Sequence, residues 1–521
     1  MKKNLLNILG VLGLLTGCMT SCTKDLNRNP TNGIDADSAY GSVTAYKGSL
    51  AKAYAAFALT SSEGSDKSDL GGIDAGTSDF IRLYWNAQEL STDEAMCVWT
   101  DPGVPDFHNL SWTSANTILR GLYTRSIYQI TVCNDFIKQS TDDKLASRNI
   151  TGNDAATVKY FRAEARFLRA YQYWVLMDMF ANPPYVTEAS QIGTSMPPQI
   201  QRADLFKYVE SELLAVDSLL MAPRTNEYGR ADQAAAWALQ ARLYLNAGVY
   251  TGTTHYPEAM TYANKVINAG YSLMGTYGQL FMADNNVGNN EIILSINYDG
   301  NYSQNYGGTT FLVNSAINAD MNPTSFGVPN GGWGGNRTTS SLPDLFAAAD
   351  KRAMFYGTSS TITDVSKFEQ GKKVIKYRNL NKDSTTPAST NGVYTNVDFP
   401  LFRLGEMYLT YAEAALRAGT NTSDAINYIN VLRQRAFGNT SGNVTSFTVD
   451  NVLDERAREL FWECTRRTDL IRYGKFTTST YLWPWKGGVS GGKSVDAHFN
   501  IYPIPSSDII ANTNLKQNTG Y

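Results

Sequence analysis

The chain has 521 residues, with 45 Lys and Arg against 48 Asp and Glu for a net charge of −3, and 43% of it is hydrophobic. That length makes one large domain or two to three ordinary ones, with apolar content enough for a full core. The two charge signs are nearly balanced and form no long runs, which excludes nucleic acid or an anionic membrane face as the main partner.

The N-terminus, "MKKNLLNILGVLGLLTGCMTSC", begins with Lys2 and Lys3 and continues with an apolar segment from Leu5 to Leu15. The segment is too short to span a bilayer and ends in small residues, so it reads as a secretory signal. A cysteine follows the small residues, as in a bacterial lipoprotein signal. "LTGC" offers Cys18 in the stronger lipobox, and "MTSC" offers Cys22 directly before "TKDLNRNPTNGIDADS", a polar stretch suited to a tether. The expected organisation is a signal peptide over 1–21, a tether over 22–37 and one globular domain over 38–521.

Cys97, Cys133 and Cys464 are too far apart in sequence for a disulfide framework or a zinc site and are expected to be buried and inert. The histidines, His108, His255 and His498, show no metal-binding spacing. Two regions, Thr60 to Ser111 and roughly 271–400, are rich in Gly, Asn, Ser and Thr, and the second holds strand-like runs such as "EIILSINY" and "KKVIKYRNL". Around and between them the pattern is helical. From Phe161 to Phe180, apolar residues recur at three- and four-residue steps (Phe161, Ala165, Leu168, Tyr171, Val175, Met179) until "ANPP" stops the run. "DLFKYVESELLAVDSLL" reads as its partner. "AAAWALQARLYLNAG" and "YPEAMTYANKVINAG" form a second pair, with Pro in the first turn of the latter. "LGEMYLTYAEAALRAG" and "SDAINYINVLRQRA" form a third, with Ser423 as the expected cap. In these last two pairs the second helix carries a small residue followed at +4 and +7 by further apolar ones: Ala259, Ala263, Val266 and Ala425, Ile429, Leu432. That spacing matches the second helix of a tetratricopeptide unit.

Aromatic content is 12%, with 31 Tyr and 9 Trp, which is heavy for a chain of mean hydropathy −0.30. Such rings fill a Tyr-rich core or serve a surface that uses their flat faces. "NPTSFGVPNGGWGGNR", Asn322 to Arg337, has too much Gly and Pro for a helix and no strand alternation, so it puts Trp333 on a surface loop. In "ADNNVGNNE", Asp284, Asn286 and Glu291 are candidate ligands for a structural Ca²⁺, although without EF-hand spacing the segment reads as a solvated loop. "STDE" supplies Asp93 and Glu94, but adjacent carboxylates generally point apart, whereas a glycosidase needs them across a cleft. With no nucleophile-elbow, Walker or zincin motif, the chain is not expected to be an enzyme.

Several blocks resemble the signature segments of the SusD family: "RAEARFLRAYQYWVLMDMFANPPYV", "GRADQAAAWALQARLYLNAGVYTG", "FPLFRLGEMYLTYAEA", "ERARELFWECTRRTDLIRYGKF" and "YPIPSSDIIANTNLKQNTGY". They fall in order along the chain. The resemblance implies a mostly α fold, with four tetratricopeptide-like helix pairs as scaffold and irregular, short-strand insertions carrying the ligand site. It also implies a surface lipoprotein of the outer membrane that passes glycan to a SusC-type TonB-dependent transporter, and it favours Cys22 as the lipidated residue. "AQELSTDEAMCVW", "NYGG" and "YLWPWKGG" are similar to the starch-binding members, which lay an aromatic arc along an α-glucan. Carried over by residue, the arc is Trp99, Tyr306 and Trp333, and the expected ligand is starch or malto-oligosaccharide. Arg82, whose fork suits vicinal hydroxyls, and Asp101 are candidates for the polar rim. The loop "WTDPGVPDF" is a residue shorter than in that pattern, and so is the stretch after Trp333, by more.

Overall fold

The computed structural model describes residues 39–191, 193, 195–389 and 391–521. Cys18, Cys22, the signal segment and the whole of the tether lie outside the described residues. Helices of eight or more residues are, in order, α1 (Val43–Ala58), α2 (Phe80–Gln88), α3 (Thr117–Gln139), α4 (Gly152–Phe180), α5 (Arg202–Asp217), α6 (Gln233–Leu245), α7 (Tyr256–Ile267), α8 (Gly308–Ser315), α9 (Leu404–Ala418), α10 (Thr422–Phe437) and α11 (Val449–Leu460). The strands are two to five residues long: β1 (Met96–Cys97), β2 (Ile292–Ile296), β3 (Asn336–Arg337), β4 (Phe355–Tyr356), β5 (Lys373–Val374) and β6 (Phe399–Arg403). They pair antiparallel as β1 with β3, β2 with β6 and β4 with β5.

The long helices stack. α3 packs on α4, with α1 against both; α4 packs on α5, α6 on α7, α7 on α9, and α9 on α10 and α11. The expected faces are the ones in contact: Phe161, Ala165, Leu168, Tyr171, Val175 and Met179 of α4 are buried, as are the small-residue rows of α7 and α10. Local chemistry sets the ends. The Asp232 carboxylate accepts from the Ala235 N–H to start α6, and Gly419, at φ +67°, closes α9. Ser423 is not the cap of α10. That helix begins a residue before it, after Asn421 at φ 51°, because Asn tolerates the left-handed turn that follows Gly419. The Thr60–Ser111 insertion is also less irregular than its composition suggests, since it contains α2 and a short helix at Val104–Asn109.

A buried ionic network ties the later insertion to the stack. Arg403, at the end of β6, reaches Glu463 at 2.6 Å, Glu459 at 2.6 Å and Glu291 at 3.0 Å. Arg435 of α10 pairs with Glu291 at 2.8 Å and with Glu459, and Lys376 lies 2.5 Å from Glu463. Arg352 binds Asp350, Glu455 and Glu459 at 2.7–3.0 Å. All of these side chains are almost fully buried. Charged groups withdrawn from water need such partners, because an unpaired buried ion costs several kcal/mol. Among the described residues, no helix is long and apolar enough to cross a membrane.

Candidate functional site

Trp99 follows β1 and Trp333 precedes β3, so the pairing of those two strands sets the rings side by side. The Cys97↔Asn336 register continues into a bond from the Val98 N–H to the Gly335 carbonyl at 3.1 Å. The Trp99 and Trp333 centroids are 6.5 Å apart with planes at 42°. Tyr306 is a second neighbour of Trp333, at 6.4 Å and 49°. The three rings therefore form a row with Trp333 in the middle, each turned relative to the next, and each ring is only half-buried.

The loop that carries Trp333 is not a free ribbon. The N–H groups of Trp333, Gly334 and Gly335 donate to the carbonyls of Asn314, Ile317 and Ser315 at 2.8, 2.7 and 2.7 Å. The Gly332 N–H adds a bond to the Asn314 side chain at 3.0 Å. These acceptors lie at and just beyond the C-terminal end of α8, where helix carbonyls lack intrahelical donors. Gly335 must be glycine, because a Cβ there would lie 2.3 Å from the indole of Trp99.

Arg82, in the first turn of α2, reaches toward Trp99 and Tyr306. Its guanidinium carbon sits 4.8 Å from the Phe311 ring centroid and 5.7 Å from that of Trp99. Nη1 donates to the Tyr306 carbonyl at 3.3 Å, while the buried Nε has no protein partner. Burial lowers the Arg82 pKa, and the Asp74 carboxylate opposes that most. Arg82, Trp99, Phe311, Asp74, Asn86 and Asp101 face a cavity of about 210 Å³, with Asp101 exposed at its edge. All five nominated residues thus fall in one neighbourhood.

Sequence reasoning missed Phe311, the buried ring behind Trp99, and Tyr394, whose ring lies 5.1 Å from that of Tyr306. It missed Asp74 as well, which sits in a Gly- and Asp-rich stretch that gives no signal. The Tyr394 hydroxyl donates to Ser65 at 2.7 Å, and burial pushes its pKa up to about 12.

The other candidates do not gather. Asp284 accepts from the Lys382 N–H at 3.0 Å, and Asn286 is exposed. Glu291, expected in a solvated loop, is instead fully buried, with its two oxygens taken by Arg403 and Arg435, because the strand that follows it enters the core. Among the described residues no group of three His, Cys, Asp or Glu side chains could share a metal ion. Asp93 is held by both arms of Arg466 at 2.8 and 2.6 Å and by the Tyr481 hydroxyl at 2.5 Å, and Glu94 accepts from the Trp462 N–H at 3.2 Å. Both carboxylates are buried supports of the chain turn at 461–465. Cys97, Cys133 and Cys464 are free and buried, and burial pushes the first two up to about 12.

Comparison with known proteins agrees with this architecture. Residues 355–521 match a model described as the SusD family, and residues 92–245 match one described as starch-binding and associating with the outer membrane. Trp99 lies in the second segment, whereas Tyr306 and Trp333 lie between the two. The starch-binding protein SusD of Bacteroides thetaiotaomicron is 37% identical over 98% of both chains. A SusD-like protein of Formosa agariphila is 24% identical over 73% of this chain and 78% of its own. Among solved structures, surface glycan-binding protein A of Bacteroides thetaiotaomicron, in complex with laminarihexaose, superposes with a TM-score of 0.69 at 21% identity, covering 91% of this chain and 98% of that one. The Bacteroides uniformis counterpart gives 0.70 at 22% identity, over 91% and 98%. Given the identity to the first of these relatives across nearly its whole length, the chain belongs to the SusD family, whose members bind carbohydrate at the outer membrane and do not turn it over.

Proposed function

We propose that this protein is a cell-surface lipoprotein, anchored through Cys22 with Cys18 as the alternative, that captures starch and malto-oligosaccharides and passes them to a SusC-type TonB-dependent transporter. The observation that carries the reading is the row of Trp99, Trp333 and Tyr306, with neighbouring rings 6.5 and 6.4 Å apart and turned by 42° and 49°. A pyranose has a C–H face that stacks on an aromatic ring and a hydroxyl rim that bonds to planar polar groups. In an α-1,4-glucan successive faces rotate, which suits rings turned relative to one another better than a flat strip. Arg82, whose guanidinium lines the cavity, and Asp101 at the cavity edge are the rim groups, and Asp74 joins them. The 37% identity to a starch-binding protein supports starch over other glycans.

Aromatic stacking contributes about 1 kcal/mol per ring. Three rings with a few hydrogen bonds then give a dissociation constant of roughly 10⁻⁴ to 10⁻³ M. A receptor that must release its cargo needs no more, and a polymer engaging several receptors binds more tightly. The transporter is proposed to meet the helical stack, away from the rings.

Titration calorimetry on the domain without its lipid signal tests this reading, using maltoheptaose and α-cyclodextrin, with laminarihexaose as comparison. Weak exothermic binding of both α-glucans that disappears in Trp333→Ala is the expected result. Heat from laminarihexaose alone would move the same receptor role to a different glycan. No heat from any of the three, with the protein folded, would send the search to a wider panel.

A further inference from the structure

Resting on the reading of the three rings as a glycan platform, we propose that Asp79 is its positioning residue: the carboxylate joins the N-termini of α2 and α8 and thereby sets Arg82 and all three rings in mutual register. Asp79 touches no part of the platform face. It is fully buried, and a single oxygen, Oδ1, accepts the Arg82 N–H at 3.0 Å and the Gly308 N–H at 2.8 Å. The other oxygen lies 3.4 Å from the Tyr298 hydroxyl, which donates to it. The Arg82 bond is the N-cap of α2, and the Gly308 bond satisfies the first N–H of α8. One carboxylate therefore serves two helices, the second beginning 229 residues after Asp79 itself.

Every element of the platform hangs from one of those helices. Arg82 belongs to α2. Tyr306 lies two residues before α8, and its carbonyl accepts from Arg82 Nη1. The far end of α8 holds Trp333, Gly334 and Gly335 by three backbone bonds, and Gly335 in turn holds Val98, next to Trp99. α8 acts as a spacer of eight residues, with one ring near its start and the other two suspended from its end. Close packing at the joint shows how firmly it is made: a Cβ on Gly307 would lie 2.1 Å from the Asp79 Cβ and 2.7 Å from the Gly76 carbonyl oxygen. Burial raises the Asp79 pKa, and the two N–H donors and the nearby Arg125 oppose that, in keeping with a carboxylate retained at a cost for the bonds it makes.

Three substitutions separate positioning from plain support. Asp79→Ser keeps a good cap for α2 but is too short to hold α8. Gly307→Ala pushes the same joint apart without touching Asp79 chemically. Asp79→Asn keeps the oxygen that both N–H groups use. Maltoheptaose calorimetry on each, beside Trp333→Ala and Asp79→Ser/Trp333→Ala, is read with thermal melts and the near-ultraviolet dichroism of the tryptophans. Asp79→Ser and Gly307→Ala are expected to bind about tenfold more weakly, a loss within what one buried hydrogen bond supports. Their tryptophan dichroism should change, Asp79→Asn should bind like the wild type, and Asp79→Ser should add nothing in the Trp333→Ala background. Should Asp79→Ser melt early, Gly307→Ala carries the test alone. Wild-type affinity and dichroism in both joint variants, while Trp333→Ala loses binding, would overturn the positioning role and leave the platform standing. Unchanged binding in Trp333→Ala would remove the platform and the positioning role with it.

Discussion

At the scale of single residues, the site depends on glycines as much as on rings. Gly335→Ala would place a methyl group 2.3–2.4 Å from two indole carbons of Trp99, so that ring has to leave its place in the row. Loss of one stacking ring of about 1 kcal/mol weakens α-glucan binding by about fivefold. Calorimetry should show that loss, and a shifted tryptophan emission maximum should accompany it without a change in far-ultraviolet dichroism. The surface position of Trp333 was legible in the sequence, because Gly and Pro on both sides exclude helix and strand. Its tethering was not, because the bonds run from its backbone to the end of a helix some twenty residues earlier and involve no distinctive side chain. Phe311 was hidden for a related reason: it lies in "GTTFLVNS", a run too short and too evenly apolar to show which face is buried.

At the scale of elements, helices with a sustained apolar stripe could be read directly, α4 and α9 even with buried charged groups among their apolar ones, whereas α3 could not. α3 conceals Arg125, Ser126 and Gln129 among its buried residues, which breaks its periodicity, yet Arg125 and Gln129 each have a task. Arg125 Nε donates to the Ser78 carbonyl at 3.0 Å, and Gln129 Nε2 to that of Ala53 at 2.8 Å. The block "ERARELFWECTRR" is dense in charge, but its Glu455, Glu459, Glu463 and Arg466 are buried and paired across elements distant in sequence. Arg403→Met tests what that network does. It strands Glu463 and Glu459 with fewer cations, and breaking a buried pair from one side costs roughly 3–5 kcal/mol. A thermal melt should fall accordingly, with the β2–β6 pair and α9 loosening first in hydrogen exchange.

At the scale of the whole molecule, buried carboxyl groups set opposite pH limits. Burial pushes Glu455 up, but Arg352, Arg458 and Arg433 outweigh it and hold the group at about 2; Glu413, against Arg472 and Arg417, is likewise held at about 2. Groups depressed in the fold stabilise it fully above their unfolded value of 4.5, and that stability is lost as the pH falls toward 2. Asp398 goes the other way. Burial raises it from 3.8 to about 7, so the fold loses stability as the pH rises through that interval. Glu94, buried beside Glu89, is also raised. The melting temperature should therefore peak near about pH 5 and decline on both sides, steeply below about pH 4. A flat profile from pH 4 to 7 would show that Asp398 is ionised in the folded protein without penalty. The stack itself was legible in the sequence, whereas the ionic ties that join insertion to stack are tertiary and appear only once distant charges are brought together.

The tethered Trp333 loop also has a consequence in time. Because its backbone is already bonded to α8, a sugar meets a finished surface and nothing has to close over it. Association then runs at an ordinary unhindered rate of about 10⁶ M⁻¹ s⁻¹. With a dissociation constant of roughly 10⁻⁴ to 10⁻³ M, a short malto-oligosaccharide departs about 100 to 1,000 times per second. Occupancy on that clock lasts milliseconds, so a long chain can release one stretch, advance and be caught again many times during a single encounter with the protein.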